Sequence, residues 1–446
     1  MHGDIRTLLA GPRVPDKEFI RSGPTFAQVY AMAAGLRKAL AGYEGEGVCL
    51  ATTNRAVMAA ALLAALAGGP ILLLPYALSL PAIARMQRLT GFTTAIADDA
   101  TDLPDGTTII RPPPLPSPAL PASAPRPGTE LLQIFTGGST NAPQLWKKSW
   151  ENMFGEGLLL ARSFAVTEQD CIVATAPPYH IYGLLFSVIL PLVSSASVVA
   201  DTPSFPGEIA EAVQAHQATI LASIPPHYRA LRGKKLASAG LRLAFSSAGM
   251  LDEEDNRAFS QVNGVGIVEV YGSTETGGVA SRNRFRGESA FTPFPVVSWG
   301  IKDHRLCVRS PWLSPGLPLA DDGFFTTGDR VEAAGTGNGF TLKGRTDGVA
   351  KVGGKRVDLE EVHAVLKKAP GVSECVVTAL PEAGSRGERI VALVQGTDVD
   401  IEQIRERLAA SLEAYALPRA IKIINRIPVK ENGKYDRDAI MKFFDA

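Results

Sequence analysis

The sequence predicts an α/β protein with mostly parallel sheets, a small β-rich lobe after them and a separate α+β domain at the end. Three observations carry this. Apolar helical patterns alternate with short β-branched runs from about residue 25 to 290, the pattern of parallel sheets crossed by helices. After residue 290 the texture changes to turns and short strands, through Pro293, Pro295, Pro311, Pro315, Pro318 and Asp321-Asp322-Gly323. From about residue 344 it changes again, into roughly 100 residues that suffice for an independent domain. Length agrees, because 446 residues exceed the roughly 250 to 300 at which a single core usually divides.

In chain order, helical periodicity at 26–41 is followed by a strand at 48–51, a helix at 56–67 and a strand at 71–74. Gly68-Gly69-Pro70 ends that helix and Pro75 ends the strand, since proline cannot continue either element. Short strands follow at 109–110 and 131–136, separated by the Pro-rich run 111–128, which reads as an exposed connector. A strand at 267–270 precedes the lobe. The last domain reads as a helix at 359–368, strands at 375–379 and 390–394, a helix at 401–411 and a strand at 420–424, with a hinge near 345–347.

Composition narrows the function. Lys+Arg 45 against Asp+Glu 45 leaves no net field, which argues against nucleic acid and anionic membrane as partners. The uncharged runs 56–84 and 171–200 are broken by prolines, glycines and His180, short of the roughly 20 uninterrupted apolar residues of a spanning helix. Four scattered cysteines without a CxxC pair and six histidines without ligand spacing signal neither a disulfide framework nor a zinc site. The start, MHGDIRTLLAGPRVPDKE, does not resemble a secretory signal. A reducing cytoplasm is the expected compartment.

Chemistry is carried by five segments. Phe135-Thr136-Gly137-Gly138-Ser139-Thr140-Asn141-Ala142-Pro143-Gln144 follows a strand, and small residues there let backbone N–H groups approach phosphate oxygens. The Gly-Lys-Ser/Thr ending of a Walker-type loop is absent. Tyr271-Gly272-Ser273-Thr274-Glu275 offers hydroxyls and one carboxylate suited to a hard cation between phosphates. Phe325-Thr326-Thr327-Gly328-Asp329 sets an acid beside a glycine turn, and a carboxylate accepts from both hydroxyls of a ribose. Gly344-Arg345-Thr346-Asp347 leads into Lys351-Val352-Gly353-Gly354-Lys355-Arg356, and Lys434 stands on a turn in Pro428-Val429-Lys430-Glu431-Asn432-Gly433-Lys434. Each alone reads equally well as a turn with solvated charges; together, in this order, they specify more.

With these motifs the chain resembles the adenylate-forming superfamily, which includes acyl- and aryl-CoA synthetases, luciferases and the adenylation domains of peptide synthetases. The resemblance runs from about residue 25 to 440 and is most specific over 326–362. It implies a large N-terminal domain, 1–343, of αβα layers with a small β-rich lobe, and a small mobile C-terminal α+β domain, 344–446. It also implies a two-step reaction. A carboxylate attacks the α-phosphate of ATP to give an acyl-adenylate and pyrophosphate, and a thiol then displaces AMP. CoA is the expected thiol, and the phosphopantetheine of a separate acyl carrier protein is the alternative.

Carried over residue by residue, Thr136, Gly137, Gly138, Ser139 and Thr140 match the phosphate loop, and Thr274 with Glu275 the phosphate and Mg²⁺ contacts, Glu275 as the metal ligand. Ser247, Ala248 and Gly249 match the turn beside adenine and acyl group, and Tyr271, Gly272 and Ser273 lead into the cation turn. Asp329 and Arg345 match the ribose contacts, Asp347 the hinge, and Lys434 the lysine that bridges the attacking carboxylate and the α-phosphate. Lys351, Gly353 and Gly354 match a loop that meets the pantetheine arm. His180, in Pro177-Pro178-Tyr179-His180-Ile181-Tyr182-Gly183-Leu184, matches a residue lining the acyl pocket, with Tyr179, Tyr182 and Leu184 as further wall residues. That segment looks most like stand-alone synthetases for aryl or medium acyl acids.

Two positions depart from the pattern. Asn141 stands where the loop usually has glycine and Gln144 where it has lysine. Glutamine hydrogen-bonds a phosphate without neutralising it, so Lys147 or Lys148 is expected to substitute in part. The same departures motivate a rival reading, a nucleotide-binding homologue without activity. Against it stand Glu275, Asp329, Arg345 and Lys434 together.

Overall fold

Side chains that alternate along Gly47–Ala51 divide between two cores, and this division organises the first part of the chain. Val48 and Leu50 join a large core while Cys49 and Ala51 join a smaller one, the period-two consequence of a strand buried on both faces. The computed structural model describes residues 2–98, 101–112, 120, 125–136, 144–236, 240–335, 338–345, 349–381, 387–428 and 437–444. It divides into two compact units: Met1–Thr136, Leu145–Ala248 and Glu253–Lys343 form the first, and the second is built on Gly344–Ala446.

The first sheet of the larger unit contains β1 (Gly47–Ala51), β2 (Ile71–Leu74), β3 (Thr94–Ala97), β4 (Thr108–Ile110), β5 (Glu130–Thr136) and β6 (Gln144–Ser149), in the order β4-β3-β1-β2-β5-β6. Pairing is parallel from β4 through β5. Helix Phe26–Ala39 begins on a capping box, with Thr25 Oγ1 accepting from the Gln28 N–H at 3.3 Å and Gln28 Oε1 from the Thr25 N–H at 2.8 Å, which satisfies two end donors reciprocally. Helix Arg55–Leu66 is apolar around nearly its whole circumference and capped by Asn54. It is buried for that reason. Among the described residues no helix is long and apolar enough to cross a membrane.

A second sheet follows with β7 (Cys171–Ala174), β8 (Ser197–Val198), β9 (Ile220–Ser223), β10 (Leu243–Ser246), β11 (Ile267–Ser273), β12 (Gly277–Asn283) and β13 (Thr292–Pro293), ordered β13-β12-β11-β10-β9-β7-β8. It is parallel from β8 to β11 and antiparallel beyond. One face of each sheet shares the large core with helices Phe26–Ala39 and Arg55–Leu66 and with the helical stretch 181–194. The uncharged run 171–200 is thus β7, that helical stretch with a π turn at Leu185–Ile189, and β8.

The expected β-rich lobe is a sheet of β14 (Ser298–Lys302), β15 (Arg305–Arg309), β16 (Phe325–Ala333) and β17 (Phe340–Arg345) in that order, antiparallel from β14 to β16. Phe325 to Asp329 lie within β16. The turn expected at Gly328 is instead an irregularity inside the strand: the register with β15 shifts between the pairs Cys307–Thr326 and Arg305–Arg330, on either side of Gly328.

In the second unit β18 (Val349–Val352) and β19 (Lys355–Asp358) form a hairpin. Gly353 and Gly354 sit between the paired Val352 and Lys355 with φ of 57° and 81°, the two-residue turn whose backbone twist requires left-handed residues. Helices Leu359–Lys367 and Ile401–Ser411 pack with β20 (Val372–Pro381), β21 (Glu388–Gly396) and β22 (Ala420–Ile423) around Val362, Leu366, Cys375, Ala392, Ile404 and Leu408. The chain is mixed α/β with a large N-terminal and a small C-terminal domain, as expected. The Pro-rich run 111–128 lies largely outside the described residues.

Candidate active site

Parallel strands of the second sheet end level with one another: Ala174 is opposite Ala222, Ser223 opposite Ser246, and Ser246 opposite Glu269. Open α/β sheets bind ligands outside these carboxyl ends. Small polar residues stand here. Thr175 Oγ1 and Ser223 Oγ are 2.8 Å apart, and His227 Nδ1 lies 2.8 Å from Thr175 Oγ1. Burial holds the His227 imidazole below its ordinary pKa, favouring the neutral ring. Ser247 Oγ donates to the Val270 carbonyl at 2.9 Å, and Ala248 adopts the left-handed φ of 66°, a conformation that non-glycine residues rarely hold.

Tyr179 and His180 are half-buried with rings 4.7 Å apart. Tyr182 and Leu184, expected on the same wall, are buried instead. The Tyr182 hydroxyl donates to the Ser223 and Phe245 carbonyls at 3.1 and 3.2 Å, so its polar end ties two strand termini together. Leu184 belongs to the large core.

The β11–β12 hairpin carries the cation-binding candidates. Its register shifts between Tyr271 and Gly272, and a Cβ on Gly272 would lie 2.2 Å from the Gly277 carbonyl oxygen; Gly272 is there for close backbone approach. Ser273 Oγ and Thr276 Oγ1 are 2.9 Å apart and the Ser273 N–H donates to Thr276 Oγ1 at 3.0 Å, closing a tight turn that leaves Thr274 and Glu275 half-exposed. The Tyr271 hydroxyl donates to Asp329 Oδ2 at 2.7 Å, and the Asp329 N–H donates to Thr327 Oγ1 at 3.1 Å. The structure therefore brings Ser247, Tyr271, Ser273, Thr274, Glu275 and Asp329 to one end of the larger unit.

Thr136 closes β5, its hydroxyl accepting from Trp146 Nε1 at 3.1 Å. Gly137, Gly138, Ser139, Thr140 and Asn141 lie outside the described residues, as do Asp347 and Lys434. Gln144 begins β6 and Arg345 ends β17. In the second unit the Lys351 N–H donates to Glu388 Oε2 at 2.6 Å, beside the Gly353-Gly354 turn. Of the two lysines expected to compensate for Gln144, Lys147 pairs with Glu130 at 3.2 Å on the surface. Lys148 is 1% exposed and donates to the Trp312 carbonyl at 3.1 Å. Sequence reasoning missed Thr175, Ser223, His227 and Glu156, which stand in no recognisable spacing.

The donor set fits the groups implied. Among the described residues no cluster of three or more His, Cys, Asp or Glu could cage a metal. One carboxylate, Glu275, flanked by hydroxyls suits Mg²⁺, which keeps waters and shares its shell with substrate phosphates. A carboxylate oriented by a tyrosine, as Asp329 is, suits the two hydroxyls of a ribose.

Comparison with known proteins agrees with this arrangement. The profile of the AMP-binding enzyme family matches residues 13–317, and that of the AMP-binding enzyme C-terminal domain matches residues 361–434. The chain is 30% identical over 318 residues to the 4-coumarate–CoA ligase of Rhodobacter capsulatus, covering 70% of this chain and 76% of that protein. It is 26% identical over 349 residues to the sulfoacetate–CoA ligase of Cupriavidus necator, covering 72% and 68%. Among solved structures, a double mutant of the o-succinylbenzoate CoA synthetase of Bacillus subtilis superimposes with a TM-score of 0.83 at 16% identity, covering 99% of this chain and 98% of that one. With the order of motifs, the strand-end site and both family profiles in agreement, the chain belongs to the AMP-binding enzyme family and is an AMP-forming acid–thiol ligase.

Proposed function

We propose that this enzyme activates an aryl or medium acyl carboxylic acid with ATP and passes the acyl group to CoA. The observation that carries the reading is the Tyr271–Asp329 bond, which joins the root of the cation turn to the ribose candidate. Thr274 and Glu275 would hold the phosphates and Mg²⁺ and Asp329 the ribose, to which the resemblance also assigns Arg345. Mg²⁺, when bound, would supply positive charge where the phosphate oxygens gain negative charge. Lys434 adds a fixed ammonium at the attacking carboxylate and α-phosphate, where it stabilises more than in bulk water. The half-buried Tyr179–His180 pair borders the acid, and flat aromatic walls favour aryl acids, in keeping with the 4-coumarate specificity in the name of one relative. All four cysteines are buried thiols, which suits a cytoplasmic enzyme.

Carboxylate-dependent pyrophosphate exchange over a panel of aryl and fatty acids, followed by CoA thioester detection, tests this. Exchange with at least one acid is expected, and Lys434→Ala should lower it by about 10² to 10³. Silence across the panel with ATP still bound would favour the non-catalytic reading. Acyl transfer to a carrier protein in place of CoA, seen by mass analysis, would replace the acceptor and leave the activation step intact.

A further inference from the structure

Three side chains just past the phosphate-loop segment grip the back of the turn that bears Thr274 and Glu275. Asn152 Nδ2 donates to the Pro311 carbonyl at 2.7 Å, Lys148 Nζ to the Trp312 carbonyl at 3.1 Å, and the Gly278 N–H donates to Glu156 Oε1 at 2.8 Å. The segment 311–314 is in turn tied to the hairpin, since the Ser314 N–H donates to the Glu275 carbonyl at 2.8 Å. Glu156 also occupies the space that side chains would need. A Cβ on Gly277 would meet its Oε2 at 2.8 Å, and a Cβ on Gly278 its Oε1 at 2.7 Å.

Lys148 and Glu156 are 1% and 4% exposed, and the Lys148 ammonium feels the charges of both Glu156 and Glu275. Burial draws Lys148 down and pushes Glu156 up, while their attraction opposes both. Burying such charges costs several kcal/mol per ion, and apolar side chains of the same volume often stabilise a fold as well or better. Packing alone therefore does not account for them, and their placement against one specific turn does.

We propose that Lys148 and Glu156 are positioning residues for acid activation: they hold the Thr274–Glu275 turn in register with β6 and so set the affinity for magnesium–ATP without touching it. This rests on Glu275 being the magnesium contact. It also relocates the expected role of Lys148, from a direct phosphate contact to a support behind the cation turn.

The test is calorimetric titration of the full chain with ATP, with and without Mg²⁺, on Lys148→Met, Glu156→Gln and the double variant. Gln keeps an acceptor for the Gly278 N–H and removes the charge. Loss of a residue that orients a metal ligand typically costs about 10- to 100-fold in metal affinity. Lys148→Met is expected to weaken magnesium–ATP about tenfold and Glu156→Gln about threefold, with the double variant no worse than Lys148→Met because the two act as a unit. Affinity for metal-free ATP should fall by a smaller factor than that for magnesium–ATP in all three, since Thr274 meets the phosphates whether or not the metal is present. Wild-type affinity for magnesium–ATP in Lys148→Met, or a parallel loss of metal-free ATP binding, overturns the proposal. If Lys148→Met does not fold, Glu156→Gln decides alone, and an unchanged magnesium–ATP affinity overturns it. A wild-type chain that binds magnesium–ATP yet exchanges no pyrophosphate sinks the acid-activating function, while the binding series still decides the positioning role.

Discussion

The Tyr271 hydroxyl holds Asp329 by a 2.7 Å hydrogen bond, and this makes it a sensitive point. Hydrogen bonds to charged acceptors contribute about 1.5 to 3 kcal/mol, and Asp329 is only 8% exposed. Tyr271→Phe should raise the KM for ATP about tenfold, with kcat within about twofold, since the lost bond orients a binding group; steady-state kinetics with ATP varied would show it, and an unchanged KM would remove Asp329 from the ribose. His227 makes a second prediction at this scale. Burial lowers its folded-state pKa below the unfolded value of about 6.5. The neutral ring is favoured in the fold, so this contribution is complete above about 6.5 and is lost as pH falls through that value towards the folded pKa. Between pH 7.5 and 5.5 the wild-type Tm should fall further than that of His227→Gln; parallel falls would refute it. Single residues were also where the sequence misled. Lys148 is expected, as an alternative to Lys147, to substitute in part for the missing phosphate-loop lysine, and only the packing of 311–314 over β6 shows that it is buried.

At the scale of elements, legibility followed punctuation. Helix Ile401–Ser411 and strand Ile71–Leu74 fall at the expected residues: Asp400 caps the first, and Pro70 and Pro75 bracket the second. The π turns at Glu151–Gly155 and Leu185–Ile189 had no sequence signal, since one extra residue in a turn leaves the apolar pattern nearly unchanged. The helix that begins at Ile181 depends on Gly183. A Cβ there would lie 2.0 Å from the Pro177 carbonyl oxygen and 2.7 Å from that of Ala176. Both are backbone atoms, so the Pro177–His180 turn must move as a whole. Gly183→Ala is expected to cost about 1 to 3 kcal/mol, the range for overpacking, lowering Tm by several degrees. Because Tyr179 and His180 ride on that turn, the KM for the acid should rise more than the KM for ATP. Equal changes in both constants would mean that the turn does not border the acid.

At the scale of the molecule, the second compact unit is built on Gly344–Ala446 and contains the region matched by the C-terminal family profile, 361–434. The expectation of a division near 344 rests on a texture that changes twice along the sequence, at about 290 and 344. How one site serves two reactions was legible only through resemblance, which implies that the small domain rotates about a hinge at Asp347 between adenylate and thioester formation. Proline fixes φ near −65° and pushes the preceding residue, Thr346, towards extended conformations. A proline at 347 should therefore favour one disposition of the hinge at the expense of the other. Asp347→Pro is expected to leave pyrophosphate exchange within about threefold of wild type while slowing thioester formation about tenfold or more, since hinge residues govern conformational steps rather than bond-making ones. Single-turnover transfer from preformed acyl-adenylate to CoA, measured beside exchange, separates the two steps. Equal losses in both would make residue 347 a stability position, and no loss in either would place the hinge elsewhere in the chain.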